Sequence, residues 1–232
     1  MQQKALRVLC LHGYTQNAQK FRDRTGPFRR SLKRVLDLTY VTAPHTATDF
    51  DLPENTKEES NGPAAAWWNR SSNNPWHDVE VSVRFLNRTI QEQGPFDAVV
   101  GFSQGAGMAA ILLALVQAAH CRQSINDPEL QTLVGELSGC PPPRFALLFA
   151  GFYPDFKQFD SLVCGDQGPI QVPSLHVVGR QDAIVPMDRG LQLAAQGFVS
   201  AQIEEHEGGH FMPSNAAWRK RYQQFIEQVL LN

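Results

Sequence analysis

Cysteine is scarce and scattered in this chain. The 232 residues contain four, Cys10, Cys121, Cys140 and Cys164, with no C-x-x-C spacing, so neither a disulfide framework nor a zinc site is expected. No H-E-x-x-H or H-x-x-E-H arrangement occurs, which removes the metalloprotease signatures; no metal and no cofactor are expected. A charge excess of either sign is also missing. Lys and Arg total 21 against 23 Asp and Glu, a net charge of -2, so no field favours nucleic acid or an anionic membrane as partner. No run approaches the roughly 20 apolar residues that cross a bilayer, and a transmembrane segment is not expected. The stretch from Met1 to Arg7 has no long apolar core or cleavage pattern, so a cytoplasmic address, with the nucleus as a second one, is the expectation. The N-x-[ST] sequons at Asn69 and Asn87 are then read as chance matches. Composition leaves the oligomeric state open.

What is present is an alternation. Short apolar runs, rich in β-branched residues, are separated by segments with helical spacing. Leu6–Leu11 reads as a buried strand, residues 19–36 as a basic amphipathic helix carrying Phe21, Phe28, Leu32 and Val35, and Leu38–Val41 as a second strand. Residues 44–75 are polar and turn-rich, interrupted by Trp67-Trp68. So long an irregular stretch is uncommon in a compact domain unless functional, and it is read as a cap or lid-like segment. Helical spacing returns at Val79, Val83, Leu86 and Ile90. Phe96–Val100 is a third strand, and Gly105–Ala119 is a helix apolar on all sides, which belongs in a core. After an irregular region at 121–143, Phe145–Phe149 forms a fourth strand. A turn-rich stretch at 152–169 leads to a fifth, Ser174–Val178; a helix at 187–196, a sixth strand at 201–205 and a closing helix at 218–231 complete the pattern. Strands alternating with helices imply an α/β fold, a mostly parallel central sheet of about six strands with helices on both faces. One domain, residues 1–232, is expected.

The chemistry concentrates in Gly101-Phe102-Ser103-Gln104-Gly105, a G-x-S-x-G between an expected strand and an expected helix. A serine on so sharp a turn leaves no room for Cβ atoms two residues away on either side. The helix that follows aims its amino terminus at the site, where a carbonyl oxygen under attack gathers negative charge. A serine hydroxyl needs a base, and the base an orienting carboxylate. His210, in a Gly208-Gly209-His210 loop past the last strand, is preferred as base over His206, which lies nearer the strand itself. Asp182, on the loop after the fifth strand, is preferred as acid over Asp188, which reads as a helix cap after Pro186. The backbone amides of Gln104 and Tyr14 are the candidate oxyanion donors. Gly13 lets the Tyr14 loop come close, while His12 reads as structural. All these features fall in the required order at the carboxyl ends of strands, where open α/β sheets build their sites.

Four blocks carry a resemblance. Leu9-Cys10-Leu11-His12-Gly13-Tyr14-Thr15-Gln16-Asn17 resembles the opening of the FSH family of serine hydrolases. Gly94-Pro95-Phe96-Asp97, running into Gly101–Ala106, resembles its nucleophile block. Pro173–Val177 with Asp182 and Val185-Pro186, and Gly208–Pro213, are similar to its acid and histidine blocks. The resemblance implies an α/β-hydrolase with Ser103, Asp182 and His210 as triad. It also implies esterase or thioesterase activity on acyl groups, some of them long-chain, so the expected partner is a small-molecule acyl ester or thioester. Ala64-Ala65-Ala66 departs from the family, which often carries a basic residue before its aromatic pair. Trp67 and Trp68, with Trp76, are the expected walls of the acyl pocket; Phe211 and Met212, with Phe152 and Tyr153, are expected to add apolar lining. A lactonase, a lysophospholipase-like hydrolase and a non-catalytic ligand-binding protein on the same fold remain alternatives.

Overall fold

The computed structural model describes residues 4–48, 62–165 and 168–231. In chain order the elements are β1 (Leu6–Leu11), α1 (Ala18–Arg24), α2 (Gly26–Leu32), β2 (Leu36–Val41), β3 (His45–Thr46), β4 (Ala65–Ala66), α3 (Pro75–Gln93), β5 (Ala98–Phe102) and α4 (Gln104–Cys121). They continue with α5 (Pro128–Glu136), β6 (Phe145–Phe149), α6 (Lys157–Val163), β7 (Ser174–Gly179), α7 (Met187–Gly197), β8 (Ala201–His206) and α8 (Ala216–Leu231). Six strands form one sheet in the order β2-β1-β5-β6-β7-β8, every neighbouring pair parallel. This is the architecture expected for an α/β-hydrolase. The strand order reverses between β1 and β5, and the crevice at such a reversal is where open parallel sheets bind ligands.

Alternation along the strands divides the core. Leu9, Leu11, Val99, Ala146 and Leu148 pack with α3, α4, α5, α6 and α7 on one face. Val8, Cys10, Val100, Leu147, Leu175 and Val177 pack with α1, α2 and α8 on the other. Strands covered on both faces read as continuous apolar runs, as β5 and β6 do. Helix α4 is long and apolar enough to match a membrane span by composition, but it is mostly buried inside the fold.

Four expectations need correction. The helix expected at 19–36 is two, broken at Thr25, whose hydroxyl donates back to the Phe21 carbonyl at 2.8 Å while Pro27 opens α2. The region at 121–143 is not irregular throughout, because α5 starts there on an Asp127 cap that accepts from the Glu129 and Leu130 amides, with Pro128 in its first turn. The turn-rich stretch at 152–169 likewise contains α6. Within 44–75, β3 and β4 form a small antiparallel pair, and residues 49–61 of that segment lie outside the described residues.

Candidate active site

The site is built at the carboxyl ends of β1, β5, β7 and β8. Ser103 follows β5 directly with φ 54 and ψ -120, a region that side-chain-bearing residues rarely occupy. Its amide donates to the Phe149 carbonyl at 2.8 Å, which ties the turn to β6. The turn survives because its flanks are glycine. A Cβ on Gly101 would lie 2.5 Å from the Gly105 carbonyl oxygen, and one on Gly105 would lie 2.2 Å from the Leu11 carbonyl oxygen. Ser103 is only 8% exposed, with α4 starting at the next residue, so the helix amino terminus and its dipole face the serine.

Asp182 lies past β7 with its side chain 1% exposed. One oxygen, Oδ1, accepts from the Ile184 and Val185 amides at 2.9 and 2.8 Å. The other, Oδ2, meets His210 Nδ1 at 2.7 Å. A carboxylate oxygen can only accept, so the imidazole proton sits on Nδ1 and the Nε2 lone pair is left for chemistry. The His210 side chain is 13% exposed, and its ring lies 4.9 Å from that of Phe102, the residue before the serine. The three expected triad residues are thus gathered at one rim. Among the described residues no hydrogen bond joins the Ser103 hydroxyl to His210; such contacts commonly tighten only when substrate is bound.

The competing residues sit elsewhere. Asp188 is exposed in the first turn of α7. His206 is buried between Phe211 and Trp218; its Nδ1 accepts from the Gly208 amide, and burial lowers its pKa. It shapes the His210 loop from behind. His12 accepts the Ala43 amide at Nε2 and so donates from Nδ1 to the Gly13 carbonyl. Burial holds it neutral, with its pKa lowered to about 4.

Tyr14 stands on the loop after β1, its hydroxyl donating to Asn69 Oδ1 at 2.9 Å and accepting from the Thr48 amide at 3.0 Å. Gln104 carries a role the sequence did not signal. Its side-chain oxygen accepts the Trp67 amide at 2.9 Å and its side-chain nitrogen donates to the Trp68 carbonyl at 2.7 Å. Residues 64–69 are therefore laid against the β1 loop, reinforced by bonds between Thr15, Gln16 and Ala65. The Asn69 amide group is engaged at both ends, by Tyr14 and Thr48 at its oxygen and by the Thr46 carbonyl at its nitrogen. Asn87 is similarly occupied with Glu136 and Gln91.

Two cavities open on this rim. One, of about 200 Å³, is shared by Ser103, Gln104, Tyr14, Trp68 and Phe152. The other, of about 320 Å³, is reached from His210 and walled by Phe21, Phe102, Phe211 and Met212. The expected pocket residues therefore divide. Trp68 lines the serine side, and Phe211 and Met212 line the imidazole side. Trp67 lines neither: it is 0% exposed, and its indole N–H donates to the His12 carbonyl at 2.9 Å. Trp76 and Tyr153 are also core residues, packed on Phe156 and Phe159. Trp67, Trp76 and Tyr153 are thus corrected from pocket walls to supports beneath them, because each aromatic body is covered by the helices packed on the sheet. Arg70 and Arg189, which border the serine cavity, fell in no sequence pattern. Among the described residues no cluster of potential ligands could hold a metal ion.

The chain matches known proteins over nearly its whole length. The family model described as serine hydrolase (FSH1) matches residues 1–222. Human esterase OVCA2 is 33% identical over 241 residues, an alignment covering 97% of each chain. Among solved structures, Zea mays acyl-protein thioesterase 2 superposes with a TM-score of 0.64 at 17% identity, over 97% of this chain and 94% of that one. Arabidopsis thaliana SOBER1 gives a TM-score of 0.65 at 16% identity, over 98% and 100% of the two chains. At those identities the structural likeness is one of fold.

Proposed function

The chain belongs to the FSH1 family of serine hydrolases, and from that premise we propose that it hydrolyses carboxylic esters or thioesters of medium- to long-chain acyl groups, with Ser103 as nucleophile, His210 as base and Asp182 as the acid that orients it. The observation that carries this reading is the 2.7 Å contact between Asp182 Oδ2 and His210 Nδ1, made at the rim where Ser103 occupies a strained turn. Human esterase OVCA2 and the maize acyl-protein thioesterase are named for the same class of bond cleavage.

In the proposed cycle the Ser103 oxygen attacks the substrate carbonyl while His210 Nε2 takes its proton. Asp182, fixed by two amides, stabilises the imidazolium. The backbone amides of Gln104 and Tyr14 receive the oxyanion, and loss of one such donor costs on the order of 10²–10³ in rate. His210 then returns the proton to the departing alcohol or thiol, leaving the acyl group on Ser103. Water, deprotonated by the same imidazole, releases the acid. Trp68 supplies an aromatic wall for the acyl chain, where each buried CH₂ contributes about 0.8 kcal/mol.

Reaction of the purified protein with a fluorophosphonate probe tests the assignment. Labelling is expected in the wild type and its loss in Ser103→Ala. Undiminished labelling of that variant would show that the nucleophile lies elsewhere.

A further inference from the structure

The two cavities can be told apart by where protons go. As its bond to the acyl carbon breaks, the leaving atom takes a proton from His210, so it sits beside the imidazole. The cavity of about 320 Å³ that His210 borders is then the leaving-group side. The cavity that Ser103 shares with Tyr14 and Gln104 is the acyl side. At about 30 Å³ per water molecule in the liquid, the leaving-group side has room for about ten non-hydrogen atoms. Phe21, Phe102, Phe211 and Met212 make its walls largely apolar, which suits hydrocarbon.

One group in those walls is polar and unused. Gln16 borders the cavity and is only 5% exposed. Its side-chain oxygen accepts from the Gly13 amide at 3.2 Å. A backbone N–H can only donate, so the oxygen is fixed there and the NH₂ group is turned away. The backbone of Gln16 is spent as well, on the Gly13 carbonyl and the Ala65 amide. Among the described residues Gln16 Nε2 has no hydrogen-bond partner. It is not sealed in, as Arg29 Nε and His206 Nε2 are, so it faces open space, and the space beside Gln16 is this cavity. Two further polar residues border it. The Thr25 hydroxyl donates to the Phe21 carbonyl and meets the Tyr40 hydroxyl at 2.7 Å, and Arg24 is exposed to solvent. A buried donor without an acceptor is costly, and a ligand oxygen that reaches it recovers the cost.

We propose that the His210 cavity is a leaving-group subsite and that Gln16 Nε2 donates there to a carbonyl oxygen of the departing alcohol or thiol. The substrate class is an ester or thioester whose leaving group has a hydrocarbon body carrying a ketone, amide or ester carbonyl. The proposal rests on the assignment of Ser103 and His210 above and deepens it by naming what leaves. Gln16 acts on specificity, since it does not border the cavity of Ser103, where the oxyanion forms.

The test compares kcat/KM for acetopropyl hexanoate and isohexyl hexanoate, read as acid release. Their leaving alcohols share a three-carbon stem and end in an acetyl and an isopropyl group, so a carbonyl oxygen replaces one methyl. The wild type is expected to favour the acetopropyl ester about tenfold. Gln16→Glu keeps an oxygen for the Gly13 amide but puts a second acceptor where the donor was, so the preference should vanish. Gln16→Met removes donor and brace together and should lose the preference too. Phenyl hexanoate, whose leaving group has no carbonyl, reports whether each variant is folded and active. The proposal is overturned if the wild type treats the two esters alike or favours the isohexyl one. It is equally overturned if Gln16→Glu slows both esters by the same factor, or if Arg24→Ala removes the preference and Gln16→Glu does not. Failure to hydrolyse all three esters would overturn the Ser103 assignment and this proposal together, whereas turnover without the acetopropyl preference removes this proposal alone.

Discussion

At the scale of single residues, Asp182 is held so that its two oxygens cannot exchange duties. Oδ1 is committed to the Ile184 and Val185 amides and Oδ2 to the imidazole. In Asp182→Asn the one remaining carbonyl oxygen must stay with those amides, so the NH₂ group faces His210. Nδ1 then has to accept, the proton moves to Nε2, and the base is lost without any change of shape. We expect kcat for ester hydrolysis to fall about 10³–10⁴-fold with little change in thermal midpoint; a fall under threefold would remove Asp182 from the triad. Gly105 is a packing demand of the opposite kind. Because its missing Cβ would lie 2.2 Å from a backbone oxygen of β1, and backbone cannot swing aside, Gly105→Ala should lower stability by about 3 kcal/mol or more. The shift in the urea midpoint measures it, and a variant as stable as the wild type would contradict the geometry.

At the scale of elements, the segment around Trp67 and Trp68 behaves as a strap. Gln104 grips the backbone of both tryptophans, Ser82 donates to the Trp67 carbonyl at 2.6 Å, and the Trp67 ring packs at a tilt against His12, 5.3 Å between ring centres. The two neighbours should therefore respond differently to truncation. Trp67→Ala should cost about 3–5 kcal/mol of stability, read by denaturant melts. Trp68→Ala should chiefly alter the dependence of kcat/KM on acyl chain length, and an unchanged chain-length profile would exclude Trp68 from the acyl cavity. The same contrast explains what could be read from sequence. The inner sheet strands announce themselves because burial on both faces demands nearly continuous apolar runs, as in Phe145–Phe149, whereas the edge strands β2 and β8 are more polar and largely half-exposed or exposed. The serine turn announces itself because its steric needs leave a glycine imprint. Trp67 and Trp68 look alike in sequence, and only the path of the chain after β4 sends one inward and the other to the cavity. Helix α5 was missed although its Asp127-Pro128 start is a known cap signature, since its 9 residues bury little more than Leu130, Leu133 and Val134. Arg189 left no periodic trace, because a residue set by the entry angle of a helix has no partner in local sequence.

At the scale of the whole molecule, buried imidazoles couple the fold to pH. His12 and His176 are nearly inaccessible, and burial lowers their pKa values to about 4 and about 3. In the unfolded chain both titrate near 6.5. Above that pH neither state binds the proton and the contribution is complete. As pH falls below 6.5 the unfolded state takes up protons that the fold refuses, so stability declines by up to about 1.4 kcal/mol per pH unit for each histidine. The decline ends near pH 4 for His12 and near pH 3 for His176. Chemical denaturation between pH 7.5 and pH 4.5 should show it, and replacing His176 by Gln should flatten the slope. A second consequence follows from the parallel sheet. β1 enters at Leu6, one strand length from the rim that holds Ser103, a span of about 20 Å. Helix α8 starts beside His206 and runs back toward Phe145, at the entry end of β6. Both ends of the described chain therefore emerge on the side facing away from the chemistry. A solid support, a fluorophore or a second protein attached there leaves the mouth of the site unobstructed.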